Sequence, residues 1–134
     1  MTTMPRAFAA TAFALLAGPP LLAGPYDGIY QQTLTSDCET VGEEGGAIRI
    51  DGTLFYGVEV QCRMTLPVDI NNMDATIYTM ECSGEGQGWT ERAIVMNDAE
   101  GEGIFMVWNG YVFRYALCPG TRPAPPGEEA AATD

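Results

Sequence analysis

The chain has 134 residues and a formal net charge of −12, with 18 acidic residues against six arginines and neither lysine nor histidine. A chain of this length is expected to form one domain, and a surface this negative repels nucleic acid and anionic lipid. Without histidine or lysine, a Ser–His–Asp triad and a lysine-dependent phosphate loop are excluded.

Residues 1–24 have the pattern of a secretory signal. A single positive charge at Arg6 precedes an uncharged apolar run over residues 7–17, and small residues follow up to Gly24. This order is typical of an export signal, and the apolar run is too short to span a bilayer as a helix. The sequence therefore predicts a periplasmic or secreted protein without stable membrane insertion.

Residues 25–118 predict an all-β fold. Runs at 28–33, 75–82 and 89–96 are typical of strands, an alternating run leads up to Met64, and 65–74 is expected to be a loop. Asp51-Gly52 and Asn109-Gly110 each separate two apolar runs, as type I′ hairpin turns do. We expect a small antiparallel meander that forms a barrel or a sandwich.

The two turns also predict register. The first places Ile48 opposite Phe55. The second places three cross-strand pairs on one face: Trp108 with Tyr111, Met106 with Phe113, and Ile104 with Tyr115.

Four cysteines lie in this domain, at positions 38, 62, 82 and 118, and none forms a CxxC pair. In an exported domain this number predicts two disulfides, whereas zinc ligands usually come in close pairs. Counting back from the Asp51-Gly52 turn brings Cys62 near Cys38, which favours Cys38–Cys62 with Cys82–Cys118. The set Cys38–Cys82 with Cys62–Cys118 stays open as an alternative.

The stretch CSGEGQG from Cys82 to Gly88 has three glycines at alternate positions. A phosphate loop needs a lysine, and a dinucleotide fingerprint needs a following helix; this chain has no lysine, and a strand-like run follows. We predict a turn between two strands.

Asp98, Glu100 and Glu102 alternate ahead of Gly103 and imitate the first half of a calcium loop. The twelfth position is Asn109, where such a loop has a bidentate glutamate, and the flanks are strand-like. We expect an acidic turn here and no cofactor, with calcium binding as the alternative.

The remaining side chains offer no catalytic residue. What remains is a carboxylate pair such as Glu81 and Glu91, as in glycoside hydrolysis, but acidic residues are too frequent for such a pair to be a signal. We predict that the protein is not an enzyme. Trp108 and Tyr111 are expected to fill the core, and Trp89 is equally suited to the core or to an exposed binding surface.

The cysteines and the glycine-rich turn together resemble a set of small exported proteins of Gram-negative bacteria that have no assigned activity. The shared pattern is a Cys, then E-x-x-C, then C-S-G-E-G-x-x-W, then a final Cys. In this chain it falls on Cys38, Glu59, Cys62, Cys82, Ser83, Gly84, Glu85, Gly86, Trp89 and Cys118. The resemblance implies an exported fold and assigns no site residue; the architecture is also similar to that of bacterial metalloprotease inhibitors.

The sequence thus divides into a signal at 1–24, a disulfide-bonded β domain at 25–118, and a disordered acidic and proline-rich tail at 119–134. We expect a non-enzymatic binding or structural module of the periplasm that contacts an envelope protein. A protease-inhibitor-like protein and a calcium-binding protein are the two alternatives.

Overall fold

The computed structural model describes residues 24–121, and these residues form strands and turns without a helix. The all-β prediction is confirmed. The signal predicted at 1–24 lies outside the described residues except for Gly24, and so does the predicted tail beyond Thr121. No helix in the described part of the chain is long and apolar enough to cross a membrane. The strands are β1 (Gly28–Gln31), β2 (Asp37–Val41), β3 (Gly46–Asp51), β4 (Leu54–Gly57), β5 (Val60–Asp69), β6 (Ala75–Gly84), β7 (Gln87–Asn97), β8 (Gly103–Trp108) and β9 (Tyr111–Leu117).

Eight of the strands close into an antiparallel barrel. Strands β3 to β8 each pair with the next strand along the chain, and β1 pairs with both β3 and β9. Strand β2 stands outside this circuit and pairs in parallel with β3. Side chains alternate between the interior and the outside, as pleated strands require. The interior is filled by Tyr30, Ile48, Ile50, Cys62, Met64, Met80, Val95, Ile104 and Met106.

The two ends of the barrel differ. At one end, which we call the closed end, the ring of Tyr26 is buried and its hydroxyl is hydrogen bonded to Thr76 at 2.9 Å. The buried carboxylate of Asp27 accepts hydrogen bonds from the amides of Gly24 at 2.8 Å and Gly52 at 2.7 Å, which ties the β3–β4 turn across this end. The β4–β5, β6–β7 and β8–β9 turns surround the other end, which we call the open end.

The register predicted for the β8–β9 hairpin is confirmed at all three pairs. The register predicted for the β3–β4 hairpin is wrong by two residues, because Ile50 and not Ile48 lies opposite Phe55. The loop consists of Gly52 and Thr53, since Asp51 pairs with Leu54. Gly52 has a φ of 58° and takes the first loop position, which is the glycine position of a type II′ turn.

Two disulfides are present, but both predicted sets of partners are wrong. The bonds are Cys62–Cys82 and Cys38–Cys118. The prediction carried one strand from the β3–β4 turn through Cys62. The chain instead reverses after Gly57 and pairs Cys62 with Cys82 on β6, at a Cα–Cα distance of 4.0 Å. Cys38 on β2 is left to join the residue that follows β9.

Two boundaries also differ from the prediction. The segment 65–74 was expected to be a loop, yet β5 continues to Asp69 with a register shift between Thr65 and Val68. Leu66, at a φ of 48°, lies in this irregularity, so the strand bends there without ending. At the other boundary the Thr121 hydroxyl donates a hydrogen bond to the Ile29 carbonyl at 3.1 Å. The folded unit therefore includes residues 119–121, which the prediction assigned to the tail.

We predict that removing either disulfide destabilises the barrel and that the long-range one matters more. The bonds span 80 and 20 residues. In the chain-entropy model, losing Cys38–Cys118 costs about 4.5 kcal/mol and losing Cys62–Cys82 about 3 kcal/mol. Two variants, each with both cysteines of one disulfide replaced by alanine, are compared with the parent by denaturant unfolding to measure the two losses in stability. Equal midpoints for the two variants and the parent protein would contradict the prediction.

The connectivity has a direct chemical test. Arg49, Arg63, Arg92 and Arg114 separate the four cysteines, so cleavage after arginine places each cysteine on its own peptide. Mass spectrometry of the unreduced, denatured digest is expected to show the peptide containing Cys62 joined to that containing Cys82. Any other linked pair would show that the native partners differ.

Candidate functional site

A cavity of about 360 Å³ lies at the open end of the barrel, and we call it the mouth cavity. The Cys62–Cys82 disulfide and Ile48 line it together with Gln32 and Glu91. Most of its remaining wall is aromatic and comes from Phe55, Trp89, Trp108, Tyr111, Phe113 and Tyr115. Apolar cavities with a few placed polar groups are the usual form of ligand sites in small barrels.

The register of β8 and β9 brings most of this aromatic wall together. Because Trp108 lies opposite Tyr111 and Met106 opposite Phe113, all four side chains share the inner face. The rings of Tyr111 and Phe113 stack at 6.3 Å between centroids, and those of Phe113 and Tyr115 at 5.7 Å. Across the cavity the ring of Phe55 packs against that of Trp108, with 5.8 Å between the ring centroids. The rings therefore form a continuous surface from the rim to the core.

Exposure changes sharply along this stack. Tyr115 is 7% exposed and belongs to the core, Phe113 is 42% exposed, and Tyr111 at the rim is 67% exposed. The prediction that Trp108 packs in the core is supported by its contact with the buried cluster. The same prediction for Tyr111 is wrong, although its inward direction was correct. An inward side chain is exposed here because the barrel wall is incomplete on that side.

Strand β7 supplies the polar group of the mouth cavity. Glu91 pairs with the buried Met80 on β6, so its side chain points to the inner face. The indole nitrogen of Trp89 donates a hydrogen bond to Glu91 Oε2 at 2.5 Å. The bond orients the carboxylate beside the ring, and Trp89 itself is 39% exposed. The cavity thus combines aromatic faces with one negative charge.

The turn predicted for the glycine-rich stretch is confirmed, and it borders the same end of the barrel. Its loop residues are Glu85 and Gly86, with φ values of 50° and 76°, as in a type I′ turn. Just before the loop, a Cβ on Gly84 would lie 2.6 Å from the Glu59 carbonyl oxygen, so this position must be glycine for the two turns to meet. Glu59 also has a positive φ, of 55°. The adjoining turns therefore add two carboxylates at the open end.

The carboxylates considered for calcium are spread along the β7–β8 turn at the closed end. Asp98 accepts hydrogen bonds from the Glu100 amide at 2.9 Å and from Arg114 Nε at 2.8 Å. The Glu100 amide and, next, Arg114 lower the pKa of the Asp98 carboxyl below its usual value. Within residues 24–121 no group of three acidic or cysteine side chains is placed to hold a metal ion. Both oxygens of Asp98 bind groups of the chain itself.

The carboxylate pair considered for catalysis is divided between the two sides of the sheet. Glu81 pairs with Thr90 on the outer face and accepts a hydrogen bond from Arg63 Nε at 3.1 Å. Glu91 points to the inner face. The two groups cannot flank one glycosidic bond, so this arrangement does not support that chemistry.

The mouth cavity was not predicted from the sequence. The predicted β8–β9 pairing places Trp108, Tyr111 and Phe113 on one face, and this pairing is the signal that could have pointed to the site. What was missing is the length of β1, which decides how much of that face is covered. Glu91 was singled out for a different chemistry, and its partner is Trp89 and not Glu81.

We predict that the buried phenols make the domain sensitive to alkali. Burial raises the pKa of Tyr115 to about 12 and also raises the pKa values of Tyr26 and Tyr78. In the unfolded chain these phenols lose their protons near pH 10 (about the free value), so their contribution to stability is complete below that pH. It is then lost as the pH rises from about 10 to about 12. Tyrosinate absorbance during a pH titration of the folded protein measures this.

In that titration, Tyr115→Phe is expected to remove the component near pH 12 and to leave the rest unchanged. The same titration in denaturant provides the control, since every phenol then titrates near its free value of about 10. A native protein whose tyrosines all titrate together at the denatured value would contradict the prediction.

Comparison of the chain with protein-family models, with curated proteins and with solved structures finds no match. The binding properties of this site therefore follow from its own side chains. These are a stacked aromatic wall, one inward carboxylate, and a disulfide beneath them.

Proposed function

We propose that the protein is an exported, non-enzymatic binding module whose mouth cavity holds an organic cation carried on an apolar body. The observation that carries this proposal is the position of Glu91 among the aromatic rings of the cavity. Two kinds of group are organic cations on an apolar body: ammonium groups with organic substituents, and the ends of lysine and arginine side chains.

The aromatic wall favours a cation over a neutral ligand. The face of an aromatic ring attracts a positive group with about 0.5–1 kcal/mol when exposed and about 2 kcal/mol when water is removed. Several rings around one group form the cage by which proteins recognise quaternary ammonium compounds. Trp89 and Trp108 offer the strongest faces for this contact, and both line the cavity.

The charge of the molecule favours the same ligand class. Arg63 and Arg114 each lie within 4 Å of a carboxylate, and the Arg49 guanidinium lies 4.5 Å from the centre of the Tyr56 ring. These cations already have partners, whereas the chain as a whole carries a net charge of −12. A negative surface with a carboxylate inside its cavity attracts cations and repels anions over the range of a Debye length.

Export is supported by two independent features. Residues 1–24 have the composition of a secretory signal, and structural disulfides are typical of oxidising compartments and rare in the cytosol. The resemblance to small exported proteins of Gram-negative bacteria favours the periplasm. In that compartment the module would bind its ligand and would not convert it chemically.

The ligand class is tested with a matched pair of small molecules. Choline and 3,3-dimethylbutanol have the same shape, and only choline carries a charge. The two tryptophans of the chain both line the mouth cavity, so intrinsic fluorescence reports its occupancy. We expect choline to change the fluorescence saturably and to bind more tightly than the neutral analogue.

Glu91→Gln keeps the shape of the side chain and removes its charge. We expect this variant to weaken choline binding by about tenfold, in line with about 1.4 kcal/mol for one charged contact, and to leave the neutral analogue unaffected. Glu100→Gln, at the closed end, is the matched control and is expected to bind choline as the parent does. Equal affinities for the two ligands, or no effect of Glu91→Gln, would refute the proposal.

A further inference from the structure

Strand β1 covers only part of strand β9. The two strands pair at Tyr30 with Leu117 and at Gln31 with Ala116, and the pairing stops there. Beyond Gln31 the pairing ends in a turn, in which the Ser36 hydroxyl accepts hydrogen bonds from the amides of Gln32 at 3.1 Å and Thr33 at 3.0 Å. This turn lies beside Arg114 and Ala116 but does not pair with them as a strand. Within the described residues, 111–115 of β9 are therefore paired on the β8 side alone.

The unpaired edge presents specific backbone groups. The Leu117 amide donates a hydrogen bond to the Glu102 carbonyl on the β8 side at 2.7 Å. Because backbone groups alternate along a strand, those of residues 111, 113 and 115 also face β8, and those of Val112 and Arg114 face the free edge. An edge with free donors and acceptors is a template for a further strand.

The side chains at this edge are exposed and apolar. Val112 is 66% exposed on the outer face, and Tyr111 and Phe113 are exposed on the inner face. Native sheets usually protect an edge with charges, proline or a short strand. Arg114 is the one charged residue of β9, and Asp98 holds its guanidinium. The edge beside the mouth cavity is thus unprotected.

We propose that β9 receives an extended, basic segment of a partner protein as an added strand, with alternate side chains covering Phe113 and entering the mouth cavity. Such a strand would complete the barrel wall where β1 ends. This inference goes beyond the proposed function, because the backbone contacts with Val112 and Arg114 do not require a ligand in the cavity.

The charge distribution decides between partners. Glu59, Glu85 and Glu91 surround the open end, and the chain carries a net charge of −12. A second copy would bring the same carboxylates and the same net charge to the contact, which disfavours it. Strand addition supplies affinity through the main chain, and specificity comes from alternate side chains. The occupant is therefore a segment that alternates apolar residues with lysine or arginine.

The test uses the full chain and a synthetic peptide of eight residues that alternates lysine and valine. Amide hydrogen exchange measured by NMR is expected to slow at Val112 and Arg114 when the peptide is added. The Phe113 amide, which faces β8, serves as the internal control and is expected to stay unchanged. A peptide with glutamate in place of lysine is expected to have no effect.

Two variants distinguish the contribution of the Val112 backbone amide to peptide binding from that of its side chain. Val112→Pro removes the amide that faces the free edge and leaves the pairing with β8, and we expect it to weaken peptide binding by about tenfold. Val112→Thr keeps the amide and is expected to bind as the parent does. If Val112→Pro does not fold, the exchange data on the parent and on Val112→Thr still decide.

Three outcomes would overturn the inference: unchanged exchange at both amides, equal binding of the acidic peptide, or protection of both amides before any peptide is added. The last would mean that a second copy or another part of the chain already covers the edge. Choline binding is measured separately. If the peptide protects the two amides but choline does not bind, the proposed function alone is refuted. If choline binds but the peptide protects neither amide, this inference alone is refuted.

Discussion

The structure depends on the closure of the barrel by β1, a strand of four residues that pairs with both β3 and β9. Where β1 is present, near the closed end, the interior is filled and Tyr26 covers it. Where β1 stops, Tyr111 and Phe113 face inward with β8 on one side and no strand of the described residues on the other. The aromatic cavity and the free edge of β9 are therefore two consequences of one short strand, and a turn bound by the hydroxyl of Ser36 follows its end.

Covalent bonds hold the barrel around this gap. About a hundred residues bury a limited core, and an incomplete wall reduces it further. Cys62–Cys82 joins two neighbouring strands directly beneath the mouth cavity, and Cys38–Cys118 fastens β2 to the end of β9. Both bonds restrict the unfolded chain more than they add contacts to the folded one. The open end can thus stay uncovered without loss of the fold.

The sequence was sufficient for the fold class and for one hairpin, because alternation and an Asn-Gly turn are local signals. It failed at two turns. At Asp51-Gly52 the usual dipeptide is present but the loop consists of Gly52 and Thr53, and at the β4–β5 loop no such signal exists. The β4–β5 loop at Val58 and Glu59 has neither a usual turn dipeptide nor a glycine at the left-handed position, which Glu59 occupies. Because this turn was not predicted, Cys62 was not placed opposite Cys82, and the predicted disulfides were wrong. The mouth cavity required knowing where β1 ends relative to β9, which is a property of the closed barrel and not of any single strand.

The acidic surface and the aromatic cavity of this protein are physically connected. Aromatic rings that are half exposed at the edge of a sheet would ordinarily promote association between copies. Repulsion between chains of net charge −12 opposes that contact at every approach. It does not oppose a basic partner, for which the same field increases the rate of encounter. On the proposed strand addition, the negative charge therefore disfavours a second copy of this chain at the open edge and favours segments of opposite charge.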